Sequence, residues 1–216
     1  MNDGMEPSPS PGSYPTHSRP PMLVLGVDPG TNHLGYAVLE REDATERLVM
    51  AGTLHLKAND DHQLRLKTIY EALIGLIEAH LPDECAVEMP VYGRNAQSML
   101  KLGRAQAAAM LAALNRGLPV AQYTPSEVKK AVTGNGAATK EQVATMVTAI
   151  VGEVSGGFDA TDAVAVALCH LGRLAAPGGV VNAKAMAGAK GRKAAAAKGS
   201  WETFLKANPG RVTGGS

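Results

Sequence analysis

Hydrophobic and polar positions change period several times along this chain. From Leu23, LVLGV is an unbroken apolar run closed by DPGT, which predicts a buried strand ending in a tight turn. LGYAVLER and RLVMAGTLHL come next across a short polar gap, and three strands in such close succession predict an antiparallel meander. In HQLRLKTIYEALIGLIEAH the residues Leu64, Leu66, Ile69, Leu73, Leu76 and Ile77 recur near helical spacing. CAVEM reads as a fourth strand and PVAQYTP as a fifth. Between them NAQSMLKLGRAQAAAMLAALNRG predicts a long helix, with Asn95 as its N-cap and Gly117 as its stop. SEVKKAVTG predicts a helix capped by Ser126, with Glu127 in the first turn. A Gly-Asn-Gly turn leads into another helix, and FDATDAVAVALCHLGRLAA is the last. The order predicts an α/β fold, a five-stranded mixed sheet flanked by helices on both faces.

The ends break the pattern. Residues 1–21 are rich in Pro and Ser and predict a disordered extension; residues 22–176 are the folded domain; residues 177–216 are a basic low-complexity tail. In that tail, SWETFLKANPGR predicts one short amphipathic turn around Trp201, Phe204 and Leu205. From Lys184 onward seven basic residues face one acid, Glu202, so a basic tail trails a mildly acidic body. Such a split fits a nucleic-acid partner, and equally a solubilising tail. The apolar runs are too short to span a bilayer, and the first residues lack the pattern of a secretory signal. Cys85 and Cys169 both lie in apolar segments, which points to buried thiols and a reducing compartment, the cytoplasm.

Four acids stand out against this background. Asp28 closes the first apolar run, where an Asp often simply opens a turn. Glu88 ends the fourth strand, just before Met89 and Pro90, and its side chain is too long for the local backbone bonds that Asp makes. Asp159 and Asp162 lie three apart at the start of the last helix, on one face. A helix N-terminus welcomes acids in any case, so spacing alone leaves a capping role open. Asp162 is succeeded by AVAVALC, a helix apolar nearly all round, which turns Asp162 toward the sheet. Carboxylates in or beside buried strands are costly unless positive charge neutralises them. A hard divalent cation with oxygen ligands is the natural candidate, and two such ions would suit phosphodiester hydrolysis.

Four segments carry a resemblance. LGVDPGTNHLGYAV, VEMPVYGRNAQSMLKLGRAQAAAM, YTPSEVKKAVTGNGAATKEQV and FDATDAVAVALCH resemble, in order and spacing, the RuvC family of bacterial Holliday junction resolvases, from about Leu23 to Leu174. The resemblance implies an RNase H-like fold. It also implies a homodimer that uses Mg²⁺ or Mn²⁺, two ions per active site, to nick two opposing strands of a four-way DNA junction. It assigns Asp28, Glu88, Asp159 and Asp162 as catalytic metal ligands. Asp159 is the more replaceable, because some relatives have His there. Lys129 and Lys140 match basic residues that contact phosphate or offset transition-state charge, and Tyr92, Arg94 and Lys101 become further DNA contacts. Relatives carry an aromatic wedge shortly after the strand-four Glu; here the loop offers Val91 and Tyr92, a departure from the pattern. A branch-migration motor of the RuvA and RuvB type is the implied partner.

The helix 95–116 is the expected dimer interface, through Ala105, Ala108, Ala109 and Ala112, unless that face packs on its own sheet. Three rival readings compete, one of them a different RNase H-like nuclease acting on RNA–DNA hybrids, against which the strand-four Glu and its NAQSMLKLG continuation speak. Actin-like ATPases and sugar kinases also open on a strand, Asp and a Gly-Thr turn, but enclose nucleotide with a second domain. A non-catalytic junction-binding protein would not need all four acids.

Overall fold

The computed structural model describes residues 20–57, 60–90 and 95–175. The N-terminal extension, the basic tail with Trp201, and the loop residues Val91, Tyr92 and Arg94 lie outside the described residues, apart from Pro20 and Pro21. The first three strands form the expected meander: β1 (Met22–Asp28), β2 (His33–Glu42) and β3 (Thr45–His55). α1 (His62–His80) leads to β4 (Glu84–Glu88), and α2 (Ala96–Asn115) leads to β5 (Val120–Tyr123). Three helices complete the order: α3 (Pro125–Thr133), α4 (Lys140–Val151) and α5 (Gly157–Ala175). The strand order is β3-β2-β1-β4-β5. β1 pairs antiparallel with β2 and parallel with β4, and β4 pairs parallel with β5.

Period-2 alternation divides the core between the two faces of this sheet. Leu25, Val27, Val38, Cys85 and Val87 pack with Ile69, Leu73 and Ile77 of α1 and with α2. Val24, Ala37, Leu39, Ala86 and Tyr123 pack with Val128, Val143, Val147 and the long apolar face of α5. The two cysteines therefore fall in different layers, both buried and both free.

Two expectations need correction. Thr124, not Ser126, caps α3. Pro125 has no N–H to leave unpaired and fits the first helical turn. The Thr124 hydroxyl accepts from Glu127 N, while the Glu127 carboxylate accepts from Thr124 N at 2.8 Å, so the cap is reciprocal and lies two residues earlier. The alanine face of α2 is not a free surface either. Ala105, Ala109, Ala112 and Ala113 are at most 1% exposed within the core shared with α1 and the sheet, and Ala108 packs against it. Small side chains there let α2 approach its own domain. The solvent side of α2 instead presents Leu100, Leu111 and Leu114, each about half exposed.

Candidate active site

β1 and β4 lie side by side in parallel, so their C-terminal ends meet at one edge of the sheet. The register pairs Val27 with Val87, which brings the next residues, Asp28 and Glu88, to that edge together. Both alternate onto the face that α5 covers. Pro29 and Pro90 come soon after the two acids, where a missing N–H suits a chain leaving its ladder.

Asp159 and Asp162 arrive from the first turns of α5. Two glycines let that helix lie directly on the strands. A Cβ on Gly35 would stand 1.9 Å from the Asp159 carbonyl oxygen, and one on Gly26 would stand 2.2 Å from the Ala163 carbonyl oxygen. Only a residue without a side chain tolerates such contact. Asp162 is largely covered, whereas Asp159 is more open, with its Oδ2 3.8 Å from His33 Nδ1.

Two lysines complete the cluster. Lys140 is the first residue of α4, held by the Thr139 capping box, and its Nζ is 2.9 Å from Asp162 Oδ2. Lys129 projects from α3 and lowers the proton affinity of Glu88.

The electrostatics are those of crowded, half-buried acids. Burial raises the Asp28 carboxyl to about 7, with repulsion from Asp162 next and relief from Lys140 only partial. Burial raises Glu88 to about 8, helped by repulsion from Asp28 and Asp162 and opposed by Lys140 and Lys129. The Lys140 ammonium is also held above its ordinary value, chiefly by its hydrogen bond to Asp162, which there favours the charged form. Each acid disfavours the ionisation of the next.

Among the described residues, no three His, Cys, Asp or Glu side chains form a closed metal cage. Lys140 supplies a positive charge in direct contact with Asp162. Half-buried, incompletely neutralised, oxygen-only donors fit a hard divalent cation. A cleft lined by Asp28, Pro29, Glu88, Met89, Pro90, Leu102 and Gln106 opens beside them. Gln106 Nε2 donates to Gln122 Oε1 at 3.0 Å.

The fold thus brings together Asp28, Glu88, Asp159, Asp162, Lys129 and Lys140. Lys101 stands apart: it is exposed on α2, and its charge acts on His62, held below its ordinary value by burial and by Arg104, Lys101 and Arg65. Sequence reasoning missed Gly26, Gly35, His33 and Gln106. Gly26 and Gly35 interrupt otherwise apolar strands, a signal of close backbone approach. His33 and Gln106 carry no local signal.

The family model described as "Crossover junction endodeoxyribonuclease RuvC" matches residues 24–170. A protein of that name from Salinibacter ruber is 52% identical over 89% of this chain and 99% of its own length. One from Porphyromonas gingivalis is 41% identical over 88% and 96%. The solved structure "T. thermophilus RuvC in complex with Holliday junction substrate" superposes with a TM-score of 0.65 at 34% identity, covering 69% of this chain and 93% of that one. The sheet order, the acids at its edge and these matches agree: the chain belongs to the RuvC family of crossover junction endodeoxyribonucleases.

Proposed function

We propose that this protein resolves four-way (Holliday) DNA junctions by nicking two opposing strands, with Asp28, Glu88, Asp159 and Asp162 as the catalytic carboxylates. The observation that carries the residue assignment is the parallel register of β1 and β4, which sets two partly buried acids side by side with only partial relief from Lys140 and Lys129.

Asp28, Glu88, Asp159 and Asp162 would hold the divalent cation, as two Mg²⁺ or Mn²⁺ ions. When bound, it activates water for attack on phosphorus and offsets charge on the leaving 3′-oxygen. The chain's own residues do the rest. Burial keeps the carboxylates poorly hydrated and strengthens every charge interaction among them. Lys140, 61% exposed at its side chain, is free to swing from Asp162 toward a non-bridging phosphate oxygen. Lys129, beside Glu88, adds positive charge from the α3 side. The open cleft leaves room for a strand backbone to lie across the acids.

Cutting two strands symmetrically calls for two active sites, hence a homodimer. The stripe of Leu100, Leu111 and Leu114 on α2 is the surface we assign to it. Tyr92 or Val91, Arg94 and Lys101 remain the proposed outer DNA contacts, residues 177–216 a proposed phosphate-binding tail, and a RuvA- and RuvB-type motor the proposed partner. The cytoplasm is the proposed place of action. Among the described residues no helix is long and apolar enough to cross a membrane.

A cleavage assay on a mobile four-way junction in Mg²⁺ tests the reading. Paired nicks at symmetric positions are expected from the parent. Asp28→Asn and Glu88→Gln are expected to bind the junction in EDTA but not cut it. Normal cutting by either variant overturns the site assignment.

A further inference from the structure

β4 carries a second glutamate on the face of the first. Glu84, Ala86 and Glu88 alternate toward α5, while Cys85 and Val87 turn to the other layer. Glu84 Oε2 is 2.9 Å from Nε2 of His170 on α5, and His170 Nδ1 is 2.7 Å from the Tyr123 hydroxyl on β5. All three residues are at most 4% exposed. Burial pushes the Tyr123 hydroxyl up to about 12, so it keeps its proton. It can then donate to Nδ1, leaving Nε2–H to donate to the Glu84 carboxylate, and every group in the chain is paired.

The same strand and helix therefore face each other at two polar positions. At one, Glu84 faces His170; at the other, Glu88 lies in the field of Asp162. Four residues of strand separate Glu84 from Glu88, roughly 13 Å. Eight residues of helix separate His170 from Asp162, about 12 Å. The spacings match, so the Glu84–His170 contact sets where Asp162 falls against Glu88.

Between them the interface is smooth. Ala163 and Ala167 lie on Gly26, and the first turn of α5 lies on Gly35. Backbone laid on backbone fixes how far α5 stands from the sheet. Side chains this small interdigitate little and resist sliding along the helix axis weakly. A buried hydrogen-bonded chain resists it strongly, because its geometry tolerates only tenths of an ångström. Tyr123 extends the tie: it pairs with Glu88 in the β4–β5 ladder, its carbonyl accepts from Met89 N at 2.7 Å, and Thr124, the cap of the Lys129 helix, is the next residue.

We propose that Glu84, His170 and Tyr123 are positioning residues that lock the axial register of α5 against β4 and so align Asp159 and Asp162 with Asp28 and Glu88. This rests on the four acids being the catalytic set. The lock touches no substrate, and apolar residues of similar volume would fill its place at equal or greater stability. Its contribution is to geometry.

The test uses the full-length protein. Tyr123→Phe keeps the ring and breaks one bond of the chain. The double variant Glu84→Leu with His170→Leu fills the space and removes the tie. Measured for each are the single-turnover rate on a four-way junction across an Mg²⁺ titration, junction affinity in EDTA, Mn²⁺ affinity of the DNA-free protein by calorimetry, and the melting temperature. The expected result for Tyr123→Phe is a rate loss of roughly 10-fold and Mn²⁺ binding weakened several-fold, with junction affinity held within about twofold. The double variant should lose on the order of 100-fold in rate; its melting temperature should fall modestly, because the buried Tyr123 hydroxyl loses its partner, and should return on adding Tyr123→Phe. Parent-like rate and Mn²⁺ affinity in Tyr123→Phe, or in a folded double variant, would overturn the lock; if the double variant does not fold, Tyr123→Phe decides. Asp28→Asn runs alongside: cutting by that control removes the site reading itself, whereas a dead control with parent-like lock variants removes only the lock.

Discussion

Glu84 and Glu88 open and close the same short strand, on the same face, beneath the same helix. The fold treats them in opposite ways. Glu84 has a partner within 2.9 Å and is sealed from water. Glu88 meets two further carboxylates and is held up near 8. A buried acid whose partner is built into the chain belongs to the architecture. One surrounded by its own kind marks where something from outside belongs.

Paired substitutions sharpen this contrast most. Glu88→Gln should lower junction cleavage by on the order of 10³-fold or more, and should stabilise the metal-free protein at pH 8, because a neutral amide relieves the repulsion. Glu84→Gln should act in the reverse sense on stability, costing about 1–3 kcal/mol by spoiling a buried pair. Chemical denaturation in EDTA separates the two, and a destabilising Glu88→Gln would break the comparison. Lys140→Ala removes the cation paired with Asp162. Loss of cleavage of about 10²-fold is expected in a single-turnover assay, with the melting temperature little changed.

The pH dependence of stability should have an unusual sign. Asp28 and Glu88 hold protons in the fold up to about 7 and 8, against 3.8 and 4.5 when unperturbed. The folded state then binds more protons than the unfolded state between those limits, so these groups favour folding at low pH. Their contribution is fully present below about pH 4 and is lost as pH rises through 7 and 8. Metal-free protein should have a higher urea midpoint at pH 6 than at pH 8.5, by the equivalent of a few kcal/mol. Added Mg²⁺ should narrow that gap. Equal midpoints in EDTA would mean the acids are not crowded in solution.

Gly35→Ala offers a purely geometric probe beside the acid cluster. A methyl group 1.9 Å from the Asp159 carbonyl must displace α5, at a cost of roughly 1–3 kcal/mol, and cleavage should fall with it. The smallest effect is expected from removing residues 181–216. Junction affinity should weaken and its salt dependence flatten, with the chemical step untouched.

Much of this was legible in the chain itself. The ten described helices and strands arise from period and punctuation, because apolar runs such as LVLGV and caps such as Asn95 act locally. The four acids stood out because a carboxylate beside a buried strand violates the local pattern. The features that escaped notice depend on partners far away in sequence. Glu84 reads as an ordinary polar residue before a strand until His170, 86 residues on, is folded against it. The alanines of α2 fit a partner helix as well as their own core, and only the packing with α1 decides between them.

The two thiols divide between the layers: Cys85 lies under α1 and α2, and Cys169 faces the opposite side of the sheet. Burial pushes them up to about 12 and about 11, so each stays an unreactive thiol while its layer is shut. The chain thereby contains two native clocks. The rates at which an alkylating reagent captures each sulfur would time the opening of one half of the molecule independently of the other.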